Sequence, residues 1–255
     1  MQHESILSLA RPAPAYSIPV FSQSFGSWRL SVDRSPFEPE ALAGHYDQMS
    51  EDWHNIIDRH GFASAYADMI ARVMRHPLYR QDQPSLRVLD AGVGTGAMSL
   101  AFREKVDAHL HLDAVDISQG MLQQAKARLE HPNTTLNLGQ FDLVALPYQD
   151  NTFDVILAAH VIEHLPDPQI ALAELCRVLK PGGILICSIT RASFVGALVQ
   201  LMWRTHRVSR SVALGWLRGC GLQSVRDFSF GKTTAAHRFS LAYAGRKPHF
   251  GDVSA

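Results

Sequence analysis

Long hydrophobic runs, paired cysteines and an excess of charge of either sign are all missing from this sequence of 255 residues. The most apolar window, Phe194 to Trp203, is interrupted by Gly196 and Gln200. It is too short for a membrane-spanning helix, which needs about 20 apolar residues. The 3 cysteines form no CxxC and leave one over in any disulfide scheme. Cys176 and Cys187 therefore read as small buried hydrophobes in a reducing compartment. Lys and Arg number 24 against 24 Asp and Glu, a net charge of zero. That balance argues against a general polyanion binder, because nucleic-acid affinity rests on basic surface. Met1 to Val20 has no basic start leading into an apolar stretch, and it holds Pro12, Pro14 and Pro19. It does not read as a signal peptide, and the expected location is cytoplasmic. What is present, 46% hydrophobic and 19% charged residues, is the composition of an ordinary globular protein. Disorder throughout and collagen-like character are excluded.

Residues 1 to about 37 have no regular pattern, since Pro12, Pro14, Pro19 and Pro36 break any helix. Tyr16, Phe21, Phe25, Trp28 and Phe37 are scattered through them, so this arm is either draped loosely or covers a pocket built further on. Between Pro39 and Arg75 the spacing turns helical, with Ala41, His45, Met49 and Trp53 four apart, then Tyr66, Ile70 and Met74, around a break at Gly61. A polar linker, Gln81 to Ser85, precedes an alternation of strands and helices. Arg87 to Ala91, His109 to Ile117, Thr135 to Phe141, Phe153 to Ala159 and Ile184 to Ile189 read as five strands. Helices are expected over Thr95 to Lys105, from a Ser118 cap to Glu130, and from Asp167-Pro168 to Leu179, ended by Pro181-Gly182-Gly183. A further helix, Val212 to Arg218, leads to two strands, Gln223 to Phe230 and Arg238 to Ala244, close enough in sequence to pair antiparallel. Such an order implies an α/β fold: a parallel, doubly wound sheet with helices on both faces, finished by an antiparallel pair.

Strand, glycine loop and helix meet at Leu89-Asp90-Ala91-Gly92-Val93-Gly94-Thr95-Gly96-Ala97. Glycines there let the chain turn sharply and let a ligand approach the backbone. Asp116 ends the next strand, where a carboxylate can accept hydrogen bonds from both hydroxyls of a ribose. Read as G-x-G-x-x-A through Gly92, Gly94 and Ala97, the loop also fits a dinucleotide fingerprint. Three features point away from that ligand. Asp90, directly before the loop, would repel a pyrophosphate but suits an ammonium group. Asp142, after the third strand, could accept from an adenine amino group. The closing antiparallel pair is the third.

With these residues in order, the chain resembles the class I S-adenosylmethionine-dependent methyltransferases, in the broad group that includes ubiquinone and menaquinone methyltransferases. The resemblance runs from about residue 40 to 246. It is carried by Val88 to Gly96, by Val115-Asp116-Ile117-Ser118 with Met121-Leu122, by Phe153-Asp154-Val155-Ile156, and by Arg177 to Gly183. It implies a single Rossmann-like sheet of seven strands with an N-terminal helical lid segment. Residues 1–80 would be the arm and lid, and 81–255 the cofactor-binding domain, with a substrate-lid insertion at about 191–210. It also implies S-adenosylmethionine as cofactor, leaving as S-adenosylhomocysteine, and a small-molecule acceptor: a specialised metabolite, quinone or lipid precursor. Gly92 and Gly94 would lie under the methionine and ribose, with Asp116 on the ribose hydroxyls. Ile117 and Leu143 would sandwich the adenine, with Asp142 at its amine and Met121 alongside. Asp90, Ala91 and the backbone of Ala159 and His160 would face the methionine ammonium, and Tyr46, with Trp53, would close over the cofactor. A non-catalytic cofactor- or partner-binding protein on the same fold, or a nucleic-acid methyltransferase, is the alternative.

Because a sulfonium already activates its methyl group, the protein must align the acceptor, exclude water and sometimes take a proton. His160, first after the fourth strand, is the candidate base; its bland reading is a backbone contact alone. His160-Val161-Ile162-Glu163-His164 spells H-x-x-E-H, but it leaves a strand instead of lying on a helix. Some quinone O-methyltransferases that the chain resembles have Glu-x-x-Glu-His here and bind a divalent ion; with His160 in the first place this chain departs from that pattern, so no metal is expected. Glu163 and His164 are then read as packing residues. The segment from Phe194 to Arg210 places Arg204, His206, Arg207 and Arg210 after an apolar half. It suits either a lipophilic or anionic acceptor or a core helix with a solvated end. His54, His206 and His237 are further base candidates that spacing does not separate.

Overall fold

The computed structural model describes residues 18–34, 37, 40–48, 61–79, 81–191, 205–206, 208–231, 234 and 236–249. Its centre is a seven-stranded sheet. The strands are β3 (Ser85–Ala91), β4 (His109–Asp116), β5 (Thr134–Gln140), β6 (Phe153–Ala159), β7 (Leu179–Thr190), β8 (Gln223–Phe228) and β9 (Ser240–Arg246), in the order β5-β4-β3-β6-β7-β9-β8. The β3–β4, β4–β5, β3–β6 and β6–β7 pairs are parallel, and β9 runs antiparallel to both β7 and β8. Chain order reverses between β3 and β6, so a crevice opens at the carboxyl ends of those two strands.

The apolar strands are buried on both faces, as parallel strands covered by helices must be. Val88, Leu112, Val155, Leu157 and Ile186 face one core beneath α2 (Phe62–Arg75) and α3 (Ala97–Arg103). Leu89, Val115, Ile156, Leu185 and Cys187 face the other beneath α5 (Pro168–Val178) and α6 (Arg210–Gly219). The helix signals act as their chemistry requires. Ser118 Oγ accepts from Met121 N at the start of α4 (Gln119–Leu129), and Asp167 accepts from Gln169 N and Ile170 N ahead of Pro168. Two helical stretches, α1 (40–48) and α2, lie on either side of the expected break, with Gly61 capping α2 at φ 69°. A short helix α7 (Ala236–Phe239) precedes β9.

Three readings need correction. Part of the supposedly irregular arm is a hairpin, β1 (Ile18–Phe25) and β2 (Trp28–Arg34), turning at Gly26-Ser27 with Phe25 opposite Trp28. The prolines hid it: Pro19 is accommodated at a register shift, and Gly26 at φ 59° supplies the tight turn. Phe25 and Trp28 stand 60% and 80% exposed instead of folding down on the core. Second, α5 ends at Val178 and Pro181-Gly182-Gly183 belongs to β7, as an irregularity in its pairing with β6. Lys247 Nζ donates to Cys176 O and Leu179 O there and caps the helix end instead. Third, the final strand begins at Ser240, because 236–239 are taken up by α7. Tyr16, Met49 and Trp53 lie outside the described residues.

Candidate functional site

The glycine loop leaves β3 at the switch point and packs against the chain leaving β6. A Cβ on Gly92, at φ 73°, would sit 2.6 Å from Val161 Cγ2, so only glycine lets the two loops meet. A Cβ on Gly94 would meet nothing within 4 Å, so the loop offers bare backbone to open space above it. Asp116 stands across that space. Its Oδ2 accepts from Gly94 N at 2.8 Å and its Oδ1 from Ser118 N at 2.9 Å, which fixes the carboxylate against the loop. Burial raises its pKa, in opposition to those backbone donors.

Asp90 lies beneath. It is 1% exposed; Oδ2 accepts from Ser99 Oγ at 2.5 Å, and Oδ1 has no partner among the described residues. Burial, only partly offset by the Ser99 bond, pushes its pKa up to about 7, and the charge of Asp116 adds to the rise. An unpaired buried carboxylate oxygen is costly, and an ammonium group would satisfy it. Ala91 is buried behind the loop, Ile117 is half-buried after β4, and Met121 and Leu143 are buried to its side. Asp142 is exposed, with Oδ1 turned back to accept from Val144 N.

The helix α1 is tied to this crevice. Asp47 Oδ1 accepts from Ser118 Oγ and Gly120 N, the latter at 2.9 Å. Tyr46 lies over the His164 ring at 6.0 Å, and burial together with the charges of Asp116 and Glu163 drives its pKa far upward. Tyr46 is thus brought to the site.

On the other side of the crevice, the register sets Ala159 opposite Ser188 and Thr190 opposite Ser240, so three strand ends converge on His160. His160 has φ 51°, and its N donates to Ser188 O at 2.8 Å. Its Nδ1 lies 3.2 Å from both Glu163 Oε1 and Thr190 Oγ1, and its Nε2 lies 3.2 Å from Ser240 Oγ. The side chain of His160 is 20% exposed and that of Glu163 wholly buried. Burial favours the protonated form of Glu163. The bond to His160, the neighbouring imidazoles and Thr190 N–H outweigh it and hold the carboxyl at about 2. Burial conversely lowers His164 to about 4. Phe62 of α2 stands edge-on to His160 at 5.8 Å.

Glu163, Thr190, Ser240 and Phe62 were not singled out from sequence as functional. Only the three-residue step from His160 to Glu163 could have flagged one of them, and it reads equally as packing. The H-x-x-E-H residues lie on a strand exit and a 3₁₀ turn, Ile162–His164. Among the described residues, no three His, Cys, Asp or Glu side chains gather as metal ligands would. His206 is occupied elsewhere, its Nε2 near Leu165 O and its ring against Trp216, and His237 Nδ1 faces Phe230 O. Arg210 donates to Asp227 of β8, the outer strand, at 2.5 Å, whereas His54, Arg204 and Arg207 lie outside the described residues. No described helix is long and apolar enough to cross a membrane.

Comparison with known proteins agrees with this geometry. Residues 89–187 match a family described as a methyltransferase domain. The chain is 41% identical over 162 residues to a demethylmenaquinone methyltransferase of Renibacterium salmoninarum, covering 62% of this chain and 61% of the relative. It is 36% identical over 101 residues to one of Staphylococcus haemolyticus, covering 40% and 42%. The chain thus spans only about half the length of these curated relatives. In structure it resembles a chain of the Haloferax volcanii complex between the Trm112 methyltransferase activator and a methyltransferase. The TM-score is 0.64 at 22% identity, over 80% of this chain and 98% of the other, and this likeness speaks for the fold alone. Residues 89–187, which hold the glycine loop and the strands around it, thus match a methyltransferase domain, and the chain around them is similar to demethylmenaquinone methyltransferases.

Proposed function

We propose that the protein transfers a methyl group from S-adenosylmethionine to a small-molecule acceptor of the quinone or lipid-precursor class. One observation carries most weight: two carboxylates, Asp90 and Asp116, bracket a glycine loop whose bare backbone borders open space. That donor set fits a cationic, ribose-bearing ligand and disfavours a pyrophosphate. Asp116 would take the ribose hydroxyls and Asp90 the ammonium, with Ala91 and Ala159 supplying backbone. Ile117 and Leu143 would hold the adenine, Asp142 its amine, and Met121 would support that wall from the start of α4. Tyr46 would cover the ligand from α1, and Trp53 continues the same stretch of sequence.

When bound, the sulfonium supplies an activated methyl group. The protein's own work is to align the acceptor behind it, keep water out and accept a proton where the acceptor carries one. His160 is the residue proposed to take that proton, since its ring is the partly exposed base at the crevice mouth. The hairpin and residues 191–210 are proposed to cover the acceptor, because exposed Phe25, Trp28 and Leu30 gain from a partner. Domain boundaries near residue 80 and a cytoplasmic location belong to the same reading. Calorimetry with S-adenosylhomocysteine should show saturable binding, and a deuterated-methyl assay with reduced demethylmenaquinone should show transfer. Tighter binding of NAD than of S-adenosylhomocysteine would overturn the proposal.

A further inference from the structure

Resting on that reading, we propose that Glu163 is a positioning residue. It holds His160 with the proton on Nδ1, so that Nε2, beside Ser240, receives the proton of an acceptor bearing an ionisable O–H or acidic C–H. The geometry is a chain of three: Glu163 Oε1 to His160 Nδ1 at 3.2 Å, and His160 Nε2 to Ser240 Oγ at 3.2 Å. Glu163 Oε1 also accepts from Thr190 N at 2.8 Å, which anchors the carboxylate, and the backbone carbonyl of Glu163 accepts from His206 N at 2.9 Å, which holds the turn that carries it. An anchored acceptor-only group calls for a donor, which makes Nδ1–H the matching tautomer.

Two features are hard to explain as packing. Glu163 is fully buried as a carboxylate with Oε2 unpartnered among the described residues, a costly arrangement that an apolar residue would avoid. His160 holds a positive φ of 51°, uncommon for a residue other than glycine. That conformation turns the ring between Glu163 and Ser240 at the carboxyl ends of β6, β7 and β9.

Chemically, the balance is simple. The acceptor atom forms its bond to the methyl carbon, and the pair of the broken C–S bond stays on sulfur. The acceptor's proton reaches Nε2 through the Ser240 hydroxyl, which passes its own proton to the ring and takes the acceptor's in exchange. The imidazolium then has Glu163 at Nδ1, and the Ser240 hydroxyl turns from donor to acceptor at Nε2.

The test uses the full chain saturated with S-adenosylhomocysteine and nitrogen NMR of its histidine rings. His160 should show a single tautomer with Nδ1 protonated, and Glu163→Gln should release it into exchange between both forms. With reduced demethylmenaquinone as probe, Glu163→Gln should lower kcat about 100-fold. Acceptor KM and the Kd for S-adenosylhomocysteine should stay within about twofold, and Glu163→Asp should restore part of the rate. A wild-type His160 protonated on Nε2, or exchanging freely, overturns the inference even if the variant fails to fold. Full turnover in Glu163→Gln overturns it as well. Failure of the wild type to bind S-adenosylhomocysteine would instead sink the methyltransferase reading.

Discussion

If Asp90 faces the ligand's ammonium group, then binding must expel a proton from it. Its carboxyl is 1% exposed, with one oxygen held by Ser99 and the other unpaired among the described residues, and burial has moved its pKa from 3.8 to about 7. The sign follows from linkage. A folded pKa raised above the unfolded one gives stability that is complete below about pH 4 and is lost as the pH climbs through about 7. A shift of roughly three units corresponds to about 4 kcal/mol as an upper figure. The ligand-free protein should therefore lose stability across that window, and a cation that favours the ionised form should recover it. With a pKa near 7, about a tenth of Asp90 is ionised at pH 6 and about nine tenths at pH 8. The Kd for S-adenosylhomocysteine should accordingly tighten about tenfold, or ~1.4 kcal/mol, between those values. Titration calorimetry in buffers of different ionisation enthalpy reads this directly, as about 0.9 proton released per ligand at pH 6 and about 0.1 at pH 8. Asp90→Asn should bind with little dependence on pH. A wild-type Kd that is flat, or that tightens toward low pH, refutes the placement of the ammonium at Asp90.

Other perturbations probe different parts of the fold. Asp116→Ala should weaken S-adenosylhomocysteine by about 1.5–3 kcal/mol through loss of a charge-assisted bond; calorimetry showing unchanged Kd would move the ribose elsewhere. Gly92→Ala adds a Cβ 2.6 Å from Val161 at φ 73° and should cost about 1–3 kcal/mol in denaturant unfolding. Gly94→Ala, with open space above it, should cost only about 1 kcal/mol of strain yet impair ligand binding more than stability. Cys220 is half-buried and accepts from the Cys176 thiol at 2.8 Å, which lowers its pKa, whereas Cys176 and Cys187 are buried with theirs raised. A maleimide should label Cys220 first in peptide mapping; equal labelling of Cys187 would contradict its burial. Removing residues 1–35, and with them the whole hairpin, should leave S-adenosylhomocysteine affinity within about twofold and raise the acceptor KM several-fold. Unchanged turnover would make the hairpin a bystander.

The glycine-loop half of the crevice could be read from sequence because its parts are local. A glycine loop, the strand before it and an acid at the end of the next strand fall within about 30 residues, the span of one βαβ unit. Each residue type there answers a backbone requirement: φ 73° at Gly92, φ 51° at Gly94, and a cap at Ser118. The same locality made the caps at Ser118 and Asp167 and the Gly61 break readable to the residue. The hairpin was missed for the opposite reason. Its alternation is short and interrupted by Pro19, and two isolated strands contribute no apolar core pattern for periodicity to detect.

The His160 side of the crevice is assembled by pairing, not by proximity in sequence. His160, Thr190 and Ser240 span 80 residues and meet only because β7 accepts β6 in parallel on one side and β9 antiparallel on the other. Antiparallel pairing is what makes this possible. It brings the beginning of β9 to the level where β6 and β7 end, so a residue from the first position of the last strand joins the rim of the crevice. A seventh strand inserted in parallel would have placed Ser240 at the opposite end of the sheet. The reversed strand therefore does more than close the fold, since it sets a hydroxyl beside Nε2 while the 3₁₀ turn sets a carboxylate beside Nδ1. Shifting the β7–β9 register by one residue would turn Ser240 to the other face of the sheet and leave Nε2 facing backbone. The composition and the glycine-loop motifs contain no trace of that register.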